Sequence, residues 1–257
     1  FVGNGGSVVH ILDSLDKHKD FNLIPFVNEQ GASIAAEAYY RVTKMPGVAI
    51  ATSGPGFVNL IQGIACAYYD SIPAVFITGQ VVTKDLKKNR KSRQIGFQEM
   101  EVVETVKGYT KYAVCLTESS NIRYELERLW WEAENGRPGP VVLDLPDDMA
   151  RAEINPKELI GFTPPAALKN KILEASDLKK IKKALKGSKR PLIVVGSGVK
   201  LANQEEQVIK FIQKLNIPFV TTWSTVDIFD SSYEKLIGSF GVSSNRPGNF
   251  AVQSCDL

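Results

Sequence analysis

Residues 48–78, VAIATSGPGFVNLIQGIACAYYDSIPAVFIT, hold two short runs of branched and small apolar residues, 48–52 and 74–78, with a longer stretch between them. In that stretch Val58, Ile61, Ile64, Ala65 and Tyr68 recur at the three-and-four spacing of a helix, which predicts a helix over 57–69 with that face buried. Strand, helix and strand in this order make the βαβ unit of a parallel sheet. The alternation continues outward: strands are predicted at 23–27 and 141–145, and helices at 31–44 and 121–134. The fold class is therefore α/β.

A break follows. Pro156, Pro164 and Pro165 lie among polar residues, so 1–150 is read as one domain and 151–170 as a linker. Residues 171–257 open a second, Rossmann-like α/β unit. A helix over 176–185, a strand over 191–195, Gly196-Ser197-Gly198, a helix over 204–215 and a strand over 219–222 are predicted there. The chain starts at Phe1 within an apolar stretch and stops at Cys255-Asp256-Leu257, where another strand is predicted to begin. It reads as a piece of a longer protein, with the second domain incomplete.

Bulk properties bound the function. The 257 residues suit one large or two modest domains, and 44% hydrophobic with 23% charged residues is ordinary for an α/β protein. A net charge of +3, scattered along the chain, does not indicate nucleic acid; the densest basic run, 84–93, reads most simply as a solvated loop. Three widely spaced cysteines, Cys66, Cys115 and Cys255, indicate neither a disulfide framework nor a metal cluster, so a cytoplasmic setting is the expectation. No run approaches the ~20 apolar residues of a membrane span.

Three stretches could carry chemistry: Asn28-Glu29-Gln30-Gly31-Ala32, Thr52-Ser53-Gly54-Pro55-Gly56 and Gly96-Phe97-Gln98-Glu99. The second lies between a predicted strand end and a helix start, where open α/β sheets bind ligands, although a Gly-Pro-Gly alone is equally a tight turn. Glu29 is the more unusual residue. A carboxylate at the end of an apolar strand is desolvated and its pKa is expected to rise; on periodicity alone it reads as a helix-start acid favoured by the dipole.

In order and spacing, NEQGASIAAEAYYRVTKMPGVAIATSGPGFVNLIQGIACAYYDSIPAVFITGQ (28–80) resembles the pyrimidine-binding domain of thiamine diphosphate enzymes. FQE at 97–99, TKYA at 110–113, GRPGPVVLDLPDD at 136–148 and NFAVQSCDL at 249–257 are similar to acetolactate (acetohydroxyacid) synthases, so the resemblance covers nearly the whole chain. It implies that Glu29 hydrogen-bonds N1′ of the thiamine aminopyrimidine and promotes the tautomer that takes the proton from C2 of the thiazolium. It implies that Pro55, Asn59 and Gln98 contact this cofactor, and that Phe97 and Lys111 border the substrate channel. The plain alternatives are core for Phe97, a helix-surface amide for Asn59 and a solvated cation for Lys111.

Acetolactate synthases also hold FAD. The resemblance places part of that site at Arg137, Gly196-Ser197-Gly198, Thr222-Trp223 and Gly238-Ser239-Phe240-Gly241, while Arg137 reads equally as a turn residue. The family's Gly-Met-His-Gly is replaced at 238–241, and its third glycine after the strand is Val199. Asn28 stands where the family has His, and Gly3-Asn4-Gly5-Gly6 replaces Tyr-Pro-Gly-Gly.

The only histidines, His10 and His18, make no His-His pair of the pyruvate decarboxylase type, and Glu29 separates the chain from glyoxylate carboligase. No Gly-Asp-Gly occurs, so the resemblance implies Mg²⁺ and diphosphate ligands on a third, carboxyl-terminal domain outside this chain. In the family that domain comes from a partner subunit. A homodimer or tetramer, a regulatory subunit, 2-oxo acid substrates and an inactive isolated fragment are the resulting expectations. The alternatives are a carboligase with another acceptor such as a keto-sugar, a non-catalytic module on the same scaffold, and a flavin oxidoreductase, for which no hydride-handling residues are present.

Overall fold

The computed structural model describes residues 1–88, 91–166 and 173–257; part of the basic run at 84–93 and the end of the 151–170 segment lie outside the described residues. The chain forms two compact units, Phe1–Leu168 and Lys169–Leu257.

The first unit contains α1 (Val9–Asp16), α2 (Glu29–Thr43), β1 (Gly47–Ala51), α3 (Pro55–Asp70), β2 (Ala74–Gln80), α4 (Val102–Val106), β3 (Tyr112–Cys115), α5 (Ile122–Glu134), β4 (Pro140–Pro146) and α6 (Asp147–Ala150). Its sheet has the order β1-β2-β4-β3, with every pairing parallel. β2 and β4 are buried almost throughout, as expected of central strands with helices over both faces. One core cluster joins Ala49, Ala51 and Phe76 to Phe57, Leu60 and Ile64 of α3; another joins Val75, Val141 and Leu143 to Leu129 and Ala133 of α5.

Two sequence expectations are corrected here. Residues 23–27 form no strand: Pro25 makes an isolated bridge to Val2, which also bridges Ile50, so the chain near Val2 lies between them. Val2 N donates to Ile24 O at 3.0 Å and Phe26 N to Val2 O at 2.9 Å, and the pairing stops at that one bridge. The buried face of α3 is also not the predicted one. Phe57, Leu60, Gly63, Ile64 and Ala67 turn inward, while Val58 stays 47% exposed and Tyr68 is exposed. Apolar residues encircle this helix, so periodicity alone does not choose the face; Gly63 does, because a Cβ there would lie 2.4 Å from Ser33 Cβ of α2. β3 was not expected as a strand. Residues 159–162 lie against α5, with Phe162 N donating to Glu127 and the Phe162 ring against Tyr124 and Trp131.

The second unit contains α7 (Ala175–Gly187), β5 (Ile193–Val195), α8 (Gly198–Leu201), α9 (Glu205–Leu215), β6 (Phe219–Thr221), β7 (Leu236–Ser239) and α10 (Arg246–Ser254). Its strands run β5-β6-β7, all parallel, over a core of Val195, Ile212, Phe219 and Phe229. The terminal residues run beside β5: Asp256 N donates to Arg190 O and Leu192 N to Leu257 O.

Candidate functional site

Asn28 is extended and its side chain accepts from Gln30 N at 2.7 Å, so Asn28 is the cap of α2 and Glu29 its first residue. Glu29 is half-buried, beside the bridged Val2 segment, rather than at the dry end of a strand. Asn59, one turn into α3, donates Nδ2 to Glu29 Oε2 at 2.9 Å. The other oxygen faces two glycines: a Cβ would lie 3.2 Å from Oε1 at Gly3 and 3.5 Å from it at Gly56. The carboxylate is thus held at one oxygen and approached by bare backbone at the other.

The turn after β1 brings α3 to the same place. Gly54 has φ +62°, a conformation suited to glycine, and Pro55 starts the helix, where its missing amide carries no penalty. Ser7 Oγ lies 2.9 Å from Thr52 Oγ1 and accepts from Ser53 N, fixing the other side of the turn. Gln98 closes over it, itself at φ +60°, with its Cβ only 2.8 Å from where a Cβ on Gly54 would be. Glu29, Pro55, Asn59 and Gln98 therefore gather at the carboxyl end of β1. Phe97, 82% exposed beside them, is not a core residue.

Beneath Gln98 is a polar network that the sequence reading missed. Glu99 is buried, and its carboxylate accepts from Lys87 N and, at 2.7 Å, from Ile95 N. Gln80 Nε2 donates to Met100 O at 2.8 Å and to Asp144 Oδ2 at 3.1 Å, and Thr78 Oγ1 donates to Asp144 Oδ1 at 3.0 Å. Burial pushes the Asp144 carboxyl up to about 6, against the hydrogen bonds from Gln80, Thr78 and Cys115; the charge of Glu99 pushes the same way as burial. Burial likewise raises the Cys115 thiol. An acid between Leu143 and Leu145 in a central strand was the signal available in the sequence.

Lys111 and Arg137 lie at the opposite, amino edge of this sheet. Lys111 N donates to Pro140 O, and its Nζ donates to the carbonyls of Glu132 and Asn135 at the end of α5; burial lowers its pKa. Arg137 donates Nε to Ser71 Oγ at 2.7 Å, beyond the end of α3. The structure brings neither residue to Glu29.

In the second unit the expected residues share one edge. Gly196-Ser197-Gly198 follows β5, Thr222-Trp223 follows β6, and Gly238-Ser239-Phe240-Gly241 spans the end of β7. Thr222 N donates to Val195 O and Phe240 N to Thr221 O, which holds the three strand ends together. Gly238 and Gly241 have φ of +134° and +132°, and the Gly241 amide already donates to Asn249 Oδ1 at 2.8 Å. Trp223 is 63% exposed, its indole N–H donating to Ser244 Oγ at 3.0 Å. Among the described residues no cluster of three or more His, Cys, Asp or Glu could hold a metal ion, and no helix is long and apolar enough to cross a membrane.

Comparison with known proteins gives matches in both units. Residues 1–104 match the thiamine pyrophosphate enzyme N-terminal TPP binding domain, and residues 178–257 the thiamine pyrophosphate enzyme central domain. The probable acetolactate synthase large subunit of Methanococcus aeolicus is 31% identical over 261 residues, 98% of this chain and 42% of that protein. Acetolactate synthase 2, chloroplastic, of Nicotiana tabacum is 33% identical over all of this chain and 38% of its own length. The acetolactate synthase isozyme 3 large subunit of Escherichia coli K12 is 29% identical over 98% of this chain and 43% of its own. The chain thus spans less than half the length of these curated relatives. With both domain matches in sequence order on parallel α/β units, the chain belongs to the thiamine pyrophosphate enzyme family.

Proposed function

We propose that this chain is the cofactor-activating part of an acetolactate synthase-like carboligase, which decarboxylates pyruvate and joins the two-carbon unit to a second 2-oxo acid. The observation that carries this reading is the Asn59–Glu29 hydrogen bond at 2.9 Å, set between the Gly54 turn and Gln98 at a strand's carboxyl end. The residues fit thiamine diphosphate: a carboxyl able to share a proton with a ring nitrogen, and glycines at Gly3, Gly54 and Gly56 where Cβ atoms would crowd Glu29, Gln98 or Thr52. When bound, thiamine diphosphate supplies an electron sink for decarboxylation and a carrier for the two-carbon unit.

The chain's own residues supply orientation and a proton. Asn59 donates to Glu29 Oε2 and leaves Oε1 as the atom at which Glu29 would hold or release a proton. Gln98, at a positive φ beside Gly54, would help hold thiamine diphosphate. Phe97 is placed beside it to border the substrate. Lys111, tied to the end of α5, belongs to the scaffold in this reading and is removed from the substrate set.

The reading extends to groups beyond the chain. Mg²⁺ and the diphosphate take ligands outside these residues, and a second subunit completes the site. The outward stripe of α3, with Val58 and Tyr68, is the apolar surface that supports such pairing. FAD, held at the carboxyl edge of β5-β6-β7, a regulatory partner and a cytoplasmic location complete the proposal. A second reading, a carboligase for another acceptor such as a keto-sugar, is favoured by Asn28 and by the Gly3 segment, which packs directly on Glu29.

The test is an assay of the full-length protein with pyruvate, thiamine diphosphate and Mg²⁺, with and without FAD. Acetolactate formation supports the first reading; pyruvate consumption without acetolactate selects the second; no cofactor-dependent consumption removes both. Glu29→Gln is expected to lower turnover by roughly 10²-fold or more, the scale of lost acid–base catalysis.

A further inference from the structure

Gln98 faces the proposed cofactor, yet its own side chain is exposed. Its left-handed backbone, φ +60°, is a conformation that non-glycine residues hold only when their surroundings impose it. The constraint comes from the residues on either side. On the carboxyl side, the buried Glu99 carboxylate accepts from two backbone amides of the preceding loop, Lys87 N and Ile95 N. Residue 99 is thereby fastened to the chain at both Lys87 and Ile95. The main chain closes the same ring: Gly96 N donates to Asp85 O at 3.1 Å and Glu99 N to Gly96 O at 3.2 Å. One residue further on, Met100 O accepts from Gln80 Nε2, which is anchored on Asp144 in the centre of the sheet.

We infer that Glu99 is a positioning residue for Gln98: its carboxylate clasps the loop so that Gln98 stays left-handed over Gly54 and aims at the site that Glu29 shares. The inference rests on the thiamine reading for what Gln98 meets, but the clasp itself is a property of this chain. A carboxylate that accepts from two amides is among the stronger hydrogen-bonding arrangements, and Glu99 itself is buried, so the clasp does not loosen without penalty. The amide of a Gln at this position would present a donor to one of two N–H donors. Glu99→Gln therefore breaks the clasp while keeping size and shape.

The experiment is a double-mutant cycle on the full-length protein, combining Glu99→Gln with Gln98→Ala, read by turnover and by amide exchange in the absence of cofactor. Glu99→Gln is expected to speed exchange at Lys87 and Ile95 and to lower cofactor-dependent turnover about tenfold or more, and to have no further effect on turnover once Gln98 is Ala. Losses that multiply, an unchanged exchange rate, or Glu99→Gln acting where Gln98→Ala does not, would each overturn the inference. Glu99→Asp is the second variant, in case the amide unfolds the loop; a shortened clasp should give an intermediate turnover loss with the same non-additivity. If the parent shows no cofactor-dependent turnover, it is the thiamine reading that fails, and the exchange result still decides whether the clasp exists.

Discussion

Asp144 places a carboxyl where the sheet is driest, only 2% exposed, with Thr78 and Gln80 donating to it. Its pKa, about 6, lies above the unfolded value of ~3.9, so the folded chain binds the extra proton between these values. Stability from this group is therefore full below about pH 4 and is lost as pH rises through 6. Relative to Asp144→Asn, the parent is expected to lose up to about 3 kcal/mol between pH 4 and pH 7.5, read as the difference in urea midpoints; a gap independent of pH would contradict the assignment. Gly54 makes a second prediction at this scale. Gly54→Ala combines a φ of +62° with a Cβ 2.8 Å from Gln98, so a loss of about 1–2 kcal/mol, with weakened thiamine diphosphate binding, is expected by thermal melting and titration. At the residue scale the sequence was legible through motifs. The structure brings Glu29, Pro55, Asn59 and Gln98, which the motifs single out, to one strand end. Glu99 stood in the same motif as Gln98, but its hydrogen bonds run to backbone amides, which no side-chain pattern announces; Lys111 lies at the amino edge of the sheet with Nζ on the end of α5.

Elements were legible where periodicity and burial say the same thing. β1, β2, β4, α2, α5 and α9 follow apolar runs that leave little choice. The strand expected at 23–27 shrinks to a single bridge with Val2, β3 is a four-residue edge strand with no fully buried position, and β7 carries Gly238. α3 shows that an existing helix can still be rotated wrongly. Its contact with α2 depends on Gly63 lying against Ser33, whose backbone carbon would be 2.7 Å from an added Cβ. Gly63→Ala should therefore destabilise the first unit by about 1–3 kcal/mol, despite alanine's better helix propensity, as measured by denaturant midpoint. In the second unit, the terminal segment is held beside β5 by Asp256, which accepts from Ser188, Lys189 N and Arg190 N. These bonds hold its carboxyl down at about 2. The tie is at full strength above the ordinary carboxylate pKa of ~3.9 and is lost as pH falls through 2. Asp256→Asn should speed amide exchange at Lys189 and Arg190 at neutral pH, and that difference should vanish in strong acid.

The whole chain is two α/β units, each with its own core and its own carboxyl-edge cluster, Glu29 and its neighbours on one and Thr222 and its neighbours on the other. The α/β class was readable from the alternation of strands and helices; the docking of residues 159–162 on α5 was not, since the proline-rich composition there is equally that of a free connection. Separate cores predict separable unfolding. Phe219, fully buried against Phe229 with ring centroids 4.6 Å apart, anchors only the second core, and Phe219→Ala should weaken that unit by about 3–5 kcal/mol. In calorimetry one transition should move and the other stay; a joint shift would mean a single cooperative block. The second cluster also comes with its own lamp. Of the three tryptophans, Trp130 and Trp131 belong to α5, which leaves Trp223 as the one indole of the second unit, standing 63% exposed at the strand edge. With the α5 pair replaced by phenylalanine, the remaining indole emission of this chain comes from that edge, and an isoalloxazine bound there as proposed would darken it without any enzymatic assay.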